Sequence, residues 1–347
     1  MKTIRWSVDN NVDNLNSYPQ IVQASDLLKE NEVVAFPTET VYGLGGNAKS
    51  DGAVEKIFAA KGRPADNPLI IHIAKRMQLQ ELAEEIPLKA EQLMDAFWPG
   101  PLTIILKKKR GSLSDLATAG LQTVGFRMPD HPVALAILAQ TELPIAAPSA
   151  NSSGRPSPTT ADHVWEDLEG KIAGVVDGGV TGVGVESTVI DCTEEIPVIL
   201  RPGGVTKEQM IAVIGEVKLD PALHNQQAKP KSPGMKYTHY APDAPLTLVD
   251  STPMQLQQLI NEKRAEGLRV GVLTTDENKD FYETDVVLSM GAREALDTVA
   301  AGLYYALRAF NHENVDIILG EVFPYEGVGV AIMNRLEKAA GHRRIQL

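Results

Sequence analysis

The sequence predicts an α/β protein in two parts. A twisted mixed sheet with helices packed on it comes first, and a smaller doubly wound domain follows. Three observations lead there. Short β-rich runs outnumber helical patterns in the first part of the chain. A stretch from Asp220 to Pro245 then holds Pro221, Pro230, Pro233, Pro242 and Pro245 with few aliphatic residues, which disfavours helices and interior strands. Beyond it, strands and helices take turns, the rhythm of parallel βαβ units. A length of 347 residues is itself more than one ordinary domain needs. The chain therefore divides into residues 1–215, a proline-rich linker over 216–245, and residues 246–347.

In the first part, Glu32-Val33-Val34-Ala35-Phe36 reads as a strand that stops at Pro37. Ser50 to Ala60 reads as a helix, capped by Ser50 or Asp51, with Val54, Ile57 and Phe58 on one face and Gly62 ending it. Further strands are expected at Pro68–Ile73, Leu102–Leu106, Thr123–Arg127, Ile145–Ala147, Gly174–Val176 and Ser187–Asp191. After the linker, strands at Leu246–Val249, Arg269–Leu273, Asp285–Leu288 and Val315–Leu319 alternate with helices near Pro253–Glu266, Ala292–Phe310 and Ala331–Ala340.

Composition narrows the function classes. With 43% apolar and 22% charged residues, the chain can bury a sizeable core. Lys+Arg 33 against Asp+Glu 45 gives a net charge of −12, which argues against a protein held on nucleic acid by bulk positive charge. One cysteine, Cys192, excludes an internal disulfide framework and a cysteine-built zinc site. The N-terminus lacks the apolar core of a secretory signal, and the apolar stretch from Pro132 to Pro148 is too short to span a bilayer. A soluble cytoplasmic protein without membrane contact is the expectation.

Four segments could carry chemistry. Phe36 to Gly46 runs from a buried strand into a polar, glycine-rich turn ahead of a helix, which suits a ligand-binding loop. It equally suits a tight turn with a capping cluster, since the glycines have neither Walker nor dinucleotide spacing. In Lys61-Gly62-Arg63-Pro64-Ala65-Asp66-Asn67-Pro68, Lys61 and an extended Arg63 can converge on one anion. Cations in a last helical turn are also favoured by the dipole without any ligand. His72 follows in an apolar strand, where a hydrogen-bonded core histidine is the plainer reading.

In Ala147 to Ser157, Ser149 and Asn151 share a face if the chain is extended, and hydroxyl, amide and backbone N–H groups together make a neutral phosphate cradle. A solvent loop is the alternative, and a serine hydrolase is disfavoured because Gly-x-Ser-x-Gly is absent. Glu186 and Ser187 open a strand, and Arg201 closes the next one before a Pro-Gly turn. Arg201 could be a surface salt-bridge residue. Thr123 and Arg127 share a strand face, with Arg127 placed to hold a carboxylate. Lys107-Lys108-Lys109-Arg110 reads as a solvated strand end or a contact for RNA phosphate.

In order, these segments resemble a family. Lys61-x-Arg63 followed by Ser149-x-Asn151 is similar to the signature of the YrdC-type threonylcarbamoyl-AMP synthases. Phe36–Leu44, Asn67-Pro68-Leu69, Phe97–Thr103, Arg127-Met128-Pro129 and Ser187-Thr188-Val189 resemble further blocks of that family, and Ser232–Pro242 resembles the linker of its two-domain form. The resemblance covers essentially the whole chain. It implies a YrdC-like catalytic domain and a Rossmann-like C-terminal domain.

The implied activity is L-threonylcarbamoyladenylate synthesis, a nucleotidyl transfer from ATP onto a carbamate made from L-threonine and bicarbonate, with pyrophosphate released. Its product serves threonylcarbamoyl-adenosine modification of tRNA beside the anticodon. Carried over by position, Lys61, Arg63, Asn67, Thr123, Ser149, Asn151, Ser157, Arg201 and Tyr240 would hold ATP, with Lys61 and Arg63 catalytic. Thr40, His72, Arg127, the Ala147 backbone and Ser187 would hold threonine. Tyr240, with His239 behind it, would lie over the nucleotide as a lid. Mg²⁺ would ride on ATP without dedicated protein ligands. A transient contact with the transferase that modifies tRNA, and a contact with tRNA itself, are the implied partners. Two other readings fit parts of the chain. One is an RNA-binding module without catalysis, using Lys61, Arg63 and the 107–110 run. The other is a carbamoyl-transfer enzyme using carbamoyl phosphate.

Overall fold

The computed structural model describes residues 2–9, 14–223 and 240–347. It opens with β1 (Ile4–Ser7), α1 (Pro19–Lys29), β2 (Val34–Phe36), β3 (Gly43–Asn47), α2 (Asp51–Lys61) and β4 (Ile71–His72). Next come α3 (Leu79–Leu82), α4 (Leu88–Phe97), β5 (Leu102–Lys107), β6 (Thr123–Arg127), α5 (Pro132–Thr141) and β7 (Ile145–Ala146). Then follow α6 (Ala161–Leu168), β8 (Gly174–Asp177), β9 (Thr188–Asp191), β10 (Val198–Arg201), α7 (Lys207–Ile214) and β11 (Lys218–Leu219). Among the described residues these strands make an 11-stranded sheet in the order β1-β8-β2-β3-β7-β4-β6-β5-β9-β10-β11, with parallel and antiparallel neighbours. The predicted mixed sheet is borne out.

Both faces of that sheet are covered, as alternation along β2 shows. Val33 and Ala35 join one apolar cluster with Ile57, Ile71 and Phe126, while Val34 and Phe36 join another with Ile21, Val133 and Ile137. Successive side chains of a strand point to opposite faces, so the sheet sits between two helical layers.

The expectation of a glycine-rich turn after Phe36 is corrected. Gly43–Asn47 is a strand, paired antiparallel with β2 and β7. Its glycines serve close approach rather than a ligand. A Cβ on Gly45 would stand 2.5 Å from Phe36 Cε1, and one on Gly46 would stand 3.0 Å from Ile57 Cδ1 of α2. The polar loop is the shorter Pro37–Tyr42 segment between the two strands.

The second sheet is built from β12 (Leu246–Asp250), β13 (Val270–Thr274), β14 (Val286–Ser289), β15 (Ile317–Glu321) and β16 (Arg344–Gln346). Its order is β14-β13-β15-β12-β16, and each pairing is parallel. Helices α8 (Pro253–Ala265), α9 (Leu296–Ala309) and α10 (Gly329–Ala339) connect it, giving the predicted doubly wound arrangement. Thr252 caps α8 by accepting from Gln255 N at 3.4 Å, with Pro253 at the first helical position.

The chain forms two units. The second takes Gly154–Ser157 and Val183–Val185 together with the chain from Tyr240 onward, and the first takes the other described residues. Within the second unit, Arg308 Nη2 donates to the Pro156 carbonyl at 2.6 Å, which ties the early segment to α9. Lys218–Leu219, placed by composition at the head of the linker, pairs with β10 as an edge strand of the first sheet. Residues 224–239, including Tyr237, Thr238 and His239, lie outside the described residues.

Candidate active site

The site is assembled from chain ends of the first sheet. Ser50 caps α2 by accepting from Ala53 N at 3.3 Å, and the helix runs to Lys61, where Gly62 turns left-handed at φ 61°. Lys61 is therefore the last helical residue, only 4% exposed. Its Nζ donates to the carbonyl oxygens of Ser149 at 2.5 Å and Asn151 at 2.7 Å. That segment is held in turn by the start of β3 and the residue before it. Leu44 N donates to Pro148 O at 2.7 Å and Ala150 N to Tyr42 O at 2.8 Å. The two signature motifs thus meet through a buried ammonium that binds backbone carbonyls, making Lys61 a tether as well as a charge. Arg63, half-buried, reaches the Asn67 carbonyl at 3.4 Å, the long limit of a hydrogen bond.

A second cluster lies where β4, β6 and β7 run side by side, with His72 opposite both Arg127 and Ile145. Arg127 is 5% exposed and stands 2.7 Å from Glu39 Oε2, a carboxylate 13% exposed. The contact is a close ion pair outside hydrogen-bond geometry. Arg127 Nη2 and both Glu39 oxygens lack a hydrogen-bond partner among the described residues. His131 is also buried, and its Nδ1 is likewise unpartnered there. Burial holds the His131 imidazole below the ordinary histidine range, opposed by the Glu39 charge. Orphaned polar atoms of this kind are uncommon in native interiors and mark a place that expects further partners.

His72 Nδ1 lies 3.3 Å from the Ile70 carbonyl, which can only accept, so the proton of a neutral imidazole sits on Nδ1 and Nε2 is an acceptor. Burial, with Arg127 nearby, pushes its pKa down to about 3. Stability linked to His72 is therefore complete above the unfolded value of about 6.5 and is lost as pH falls from there toward about 3, because only the unfolded chain takes up the proton in that window. The expected result is a urea-unfolding free energy that drops less steeply from pH 6.5 to pH 4.5 in His72→Gln than in wild type; identical slopes would mean the imidazole is protonated in the fold.

The remaining expected residues fall as follows. Ala147 N donates to Ile70 O at 3.0 Å, so of its backbone groups only the carbonyl is left to meet a ligand. Thr40 Oγ1 and Thr38 Oγ1 are 2.9 Å apart, and Thr38 donates to Val41 O at 2.7 Å. Ser187 Oγ pairs with Thr103 Oγ1 at 2.7 Å, and Arg201 Nη2 donates to the Ser187 carbonyl at 2.9 Å and hydroxyl at 3.2 Å. Arg201 is thus a buried residue joining β9 and β10 rather than a surface one. Thr123 starts β6 and sits four positions from Arg127, opposite Lys107. Ser157 and Tyr240 belong to the second unit, where the Tyr240 ring packs 5.1 Å from that of Tyr304.

Glu39, Thr103 and His131 were not singled out from sequence. Glu39 stands in a polar Thr-Glu-Thr triplet between two apolar strands, the one local signal available. Gly203 is another such position, because a Cβ there would overlap the Glu186 carbonyl oxygen and the Thr188 nitrogen. Gly203→Ala is expected to cost about 1–3 kcal/mol through overpacking and to displace Ser187. Thermal unfolding with a threonine titration checks this, and an unchanged Tm would refute it. The 107–110 run is not a free basic patch, since Lys108 is buried, pairing with Asp115 at 2.7 Å and Thr118 Oγ1 at 2.7 Å. Among the described residues no cluster of His, Cys, Asp or Glu could hold a metal ion, and no helix is long and apolar enough to cross a membrane.

Comparison with known proteins places the fold and the family. Residues 26–203 match the Sua5/YciO/YrdC family, described as telomere recombination. Residues 205–341 match a domain described as threonylcarbamoyl-AMP synthase, C-terminal domain. A Bacillus subtilis protein named threonylcarbamoyl-AMP synthase is 60% identical over 346 residues, covering 100% of both chains. A Pyrococcus abyssi protein of that name is 49% identical, over 93% of this chain and 95% of its own. The crystal structure of P. abyssi Sua5 complexed with L-threonine superposes with a TM-score of 0.93 at 47% identity, covering 99% of this chain and 100% of that one. A mixed sheet followed by a parallel-sheet unit is the architecture this chain shares with P. abyssi Sua5. The chain belongs to the threonylcarbamoyl-AMP synthase family.

Proposed function

We infer that this protein is an L-threonylcarbamoyladenylate synthase, a nucleotidyltransferase that converts L-threonine, bicarbonate and ATP into threonylcarbamoyl-AMP and pyrophosphate. Full-length similarity to synthases of that name supports the reading. The single observation that carries it is the meeting of Lys61 with the Ser149-x-Asn151 segment, in the same unit as a buried Arg127–Glu39 pair. One half of that arrangement suits a polyphosphate and the other suits an amino-acid zwitterion.

Arg127 would take the threonine carboxylate and Glu39 would face its ammonium, each using the polar atoms left without hydrogen bonds. Neutral His72, Thr40, the Ala147 carbonyl and Ser187 would then orient the hydroxyl and amine. The amine loses a proton and its nitrogen forms a bond to the bicarbonate carbon, with water leaving. The resulting carbamate oxygen attacks the α-phosphorus of ATP and pyrophosphate leaves. Lys61, Arg63 and Arg201, with the polar groups of Asn67, Thr123, Ser149 and Asn151, would hold the nucleotide and neutralise charge as it develops.

The side chains brought together are cations, hydroxyls and amides, and the Glu39 carboxylate already faces Arg127. This donor set suits Mg²⁺ carried on the phosphate oxygens of ATP rather than on the chain. When bound, the ion would lower the repulsion that a phosphate must overcome to be attacked. The product would pass to a threonylcarbamoyl transferase acting on tRNA, which suits a cytoplasmic location.

The test is pyrophosphate release from ATP and Mg²⁺ with threonine and bicarbonate omitted one at a time. Release that needs both is expected. ATP left untouched under every condition would overturn the reading, and steeply salt-dependent RNA binding would then favour an RNA-binding module. Release supported by carbamoyl phosphate without bicarbonate would instead assign carbamoyl transfer.

A further inference from the structure

We propose that the second unit carries a ligand site of its own, at the carboxyl edge of its sheet between β12 and β15, built for an anionic molecule of mononucleotide size. The topology makes a crevice there. Strands β12 and β15 are neighbours, yet β12 leads through α8 to β13 on one side and β15 leads through α10 to β16 on the other. Right-handed crossovers running in opposite directions put α8 and α10 on opposite faces. The chain therefore parts at the strand ends, which is where open α/β sheets take their ligands. A cavity of about 540 Å³ occupies this place, lined among others by Asp250, Ser251, Arg293, Glu321, Tyr325 and Arg344.

The side chains are arranged as a binding site would be. Glu321 Oε1 accepts from Thr274 Oγ1 at 2.9 Å, Asn278 Nδ2 at 2.8 Å and the Tyr282 hydroxyl at 2.6 Å, which leaves Oε2 to take Arg293 Nη2 at 2.8 Å. Arg293 also donates to the Val322 carbonyl at 3.1 Å and lies 4.8 Å over the Phe323 ring. The guanidinium is thus fixed from beneath, although 37% of the side chain is exposed. Across the cavity Arg344, also 37% exposed, meets Asp250 at 2.7 Å and the Tyr325 hydroxyl at 2.9 Å. Ser251 Oγ, which lines the same cavity, has no hydrogen-bond partner among the described residues. A solvent-exposed ion pair contributes little to stability, so three groups orienting one half-exposed arginine, with three more holding its carboxylate partner, exceed what folding needs.

The chemistry selects the ligand class. Each guanidinium already faces a carboxylate, Arg293 that of Glu321 and Arg344 those of Asp250 and, at 3.9 Å, Glu337, so an anion enters by exchange: the half-exposed Asp250 turns to water and Arg344 takes the ligand. The volume is larger than an amino acid requires, and the Tyr325 ring and Ser251 hydroxyl line it for a polar ring or sugar. A bridging diphosphate is disfavoured. The turn after β12 is Ser251-Thr252-Pro253, with no glycine to let a diphosphate approach and a proline where α8 would offer its first N–H.

The experiment is calorimetric titration of the full-length protein with AMP, using wild type, Arg344→Ala and Arg63→Ala, and inorganic phosphate as a second probe. Arg344→Gln replaces the alanine variant should the latter lose its cooperative unfolding transition. The expected result is an AMP-binding equivalent that Arg344→Ala weakens at least tenfold and Arg63→Ala retains. A further equivalent with the opposite dependence belongs to the first unit, and its absence would count against the synthase reading without touching this one. AMP binding that is absent altogether, or insensitive to Arg344, overturns the proposal. Inorganic phosphate binding as tightly as AMP overturns the assignment to a mononucleotide.

Discussion

Arg63→Ala is expected to lower kcat/KM for pyrophosphate release by roughly 10²–10³ while Tm moves by less than about 2 °C. The first figure is the usual loss when one preorganised donor facing developing charge is removed. The second follows from the position of Arg63. It lies past the end of α2 and is half-buried, so truncating it opens no cavity in the core. Lys61 is the contrast. Its Nζ bridges the carbonyls of Ser149 and Asn151, so Lys61→Ala should lose stability together with activity. Steady-state kinetics beside thermal unfolding separates the two, and wild-type turnover in Arg63→Ala would remove that residue from the nucleotide site.

Arg127→Met is expected to do two kinds of damage at once. On the proposed assignment threonine loses the cation that would receive its carboxylate, so threonine-dependent turnover should vanish. The fold keeps a buried carboxylate at Glu39 without its counter-charge, which costs about 3–5 kcal/mol. Adding Glu39→Gln should then restore most of the stability and none of the activity. The double-mutant cycle reads this directly. An Arg127→Met protein as stable as wild type would mean that the pair is solvated. An active double variant would mean that threonine is held elsewhere.

Much of the frame was legible in the sequence because it rests on local signals. Strand β5, helix α8 and four of the five strands of the second sheet were visible as apolar runs bounded by turn residues, and Ser50 and Gly62 marked both ends of α2; the edge strand β16, Arg344–Gln346, was not, being short and polar. Gly43–Asn47 misled because a glycine run looks like a turn until its neighbours are known. What forces glycine there is the ring of Phe36 and the tip of Ile57, and neither preference is written in the local sequence. In the candidate site, Lys61, Arg63, Ser149 and Asn151 were legible as polar residues at turn positions. Glu39 was not, since a lone acid acquires meaning only when β6 delivers Arg127 opposite it. Lys108 failed in the other direction, as one member of a basic run whose side chain is buried against Thr118 while its ammonium meets the exposed Asp115 carboxylate. The division between units was illegible for a similar reason, because Gly154–Ser157 joins α9 through a bond spanning 152 positions.

Helix α2 works as a ruler. Ser50 fixes its zero mark, Gly46 sets how deeply it lies against the sheet, and Lys61 is the graduation that must coincide with Ser149 and Asn151. Each helical residue advances the chain by about 1.5 Å and turns it by about 100°. Deleting a single residue between Val54 and Ala60 would therefore swing the ammonium around the helix axis, away from both carbonyls, even if every remaining apolar contact could be repaired. Substitutions along α2 can be absorbed by repacking, but its length cannot drift.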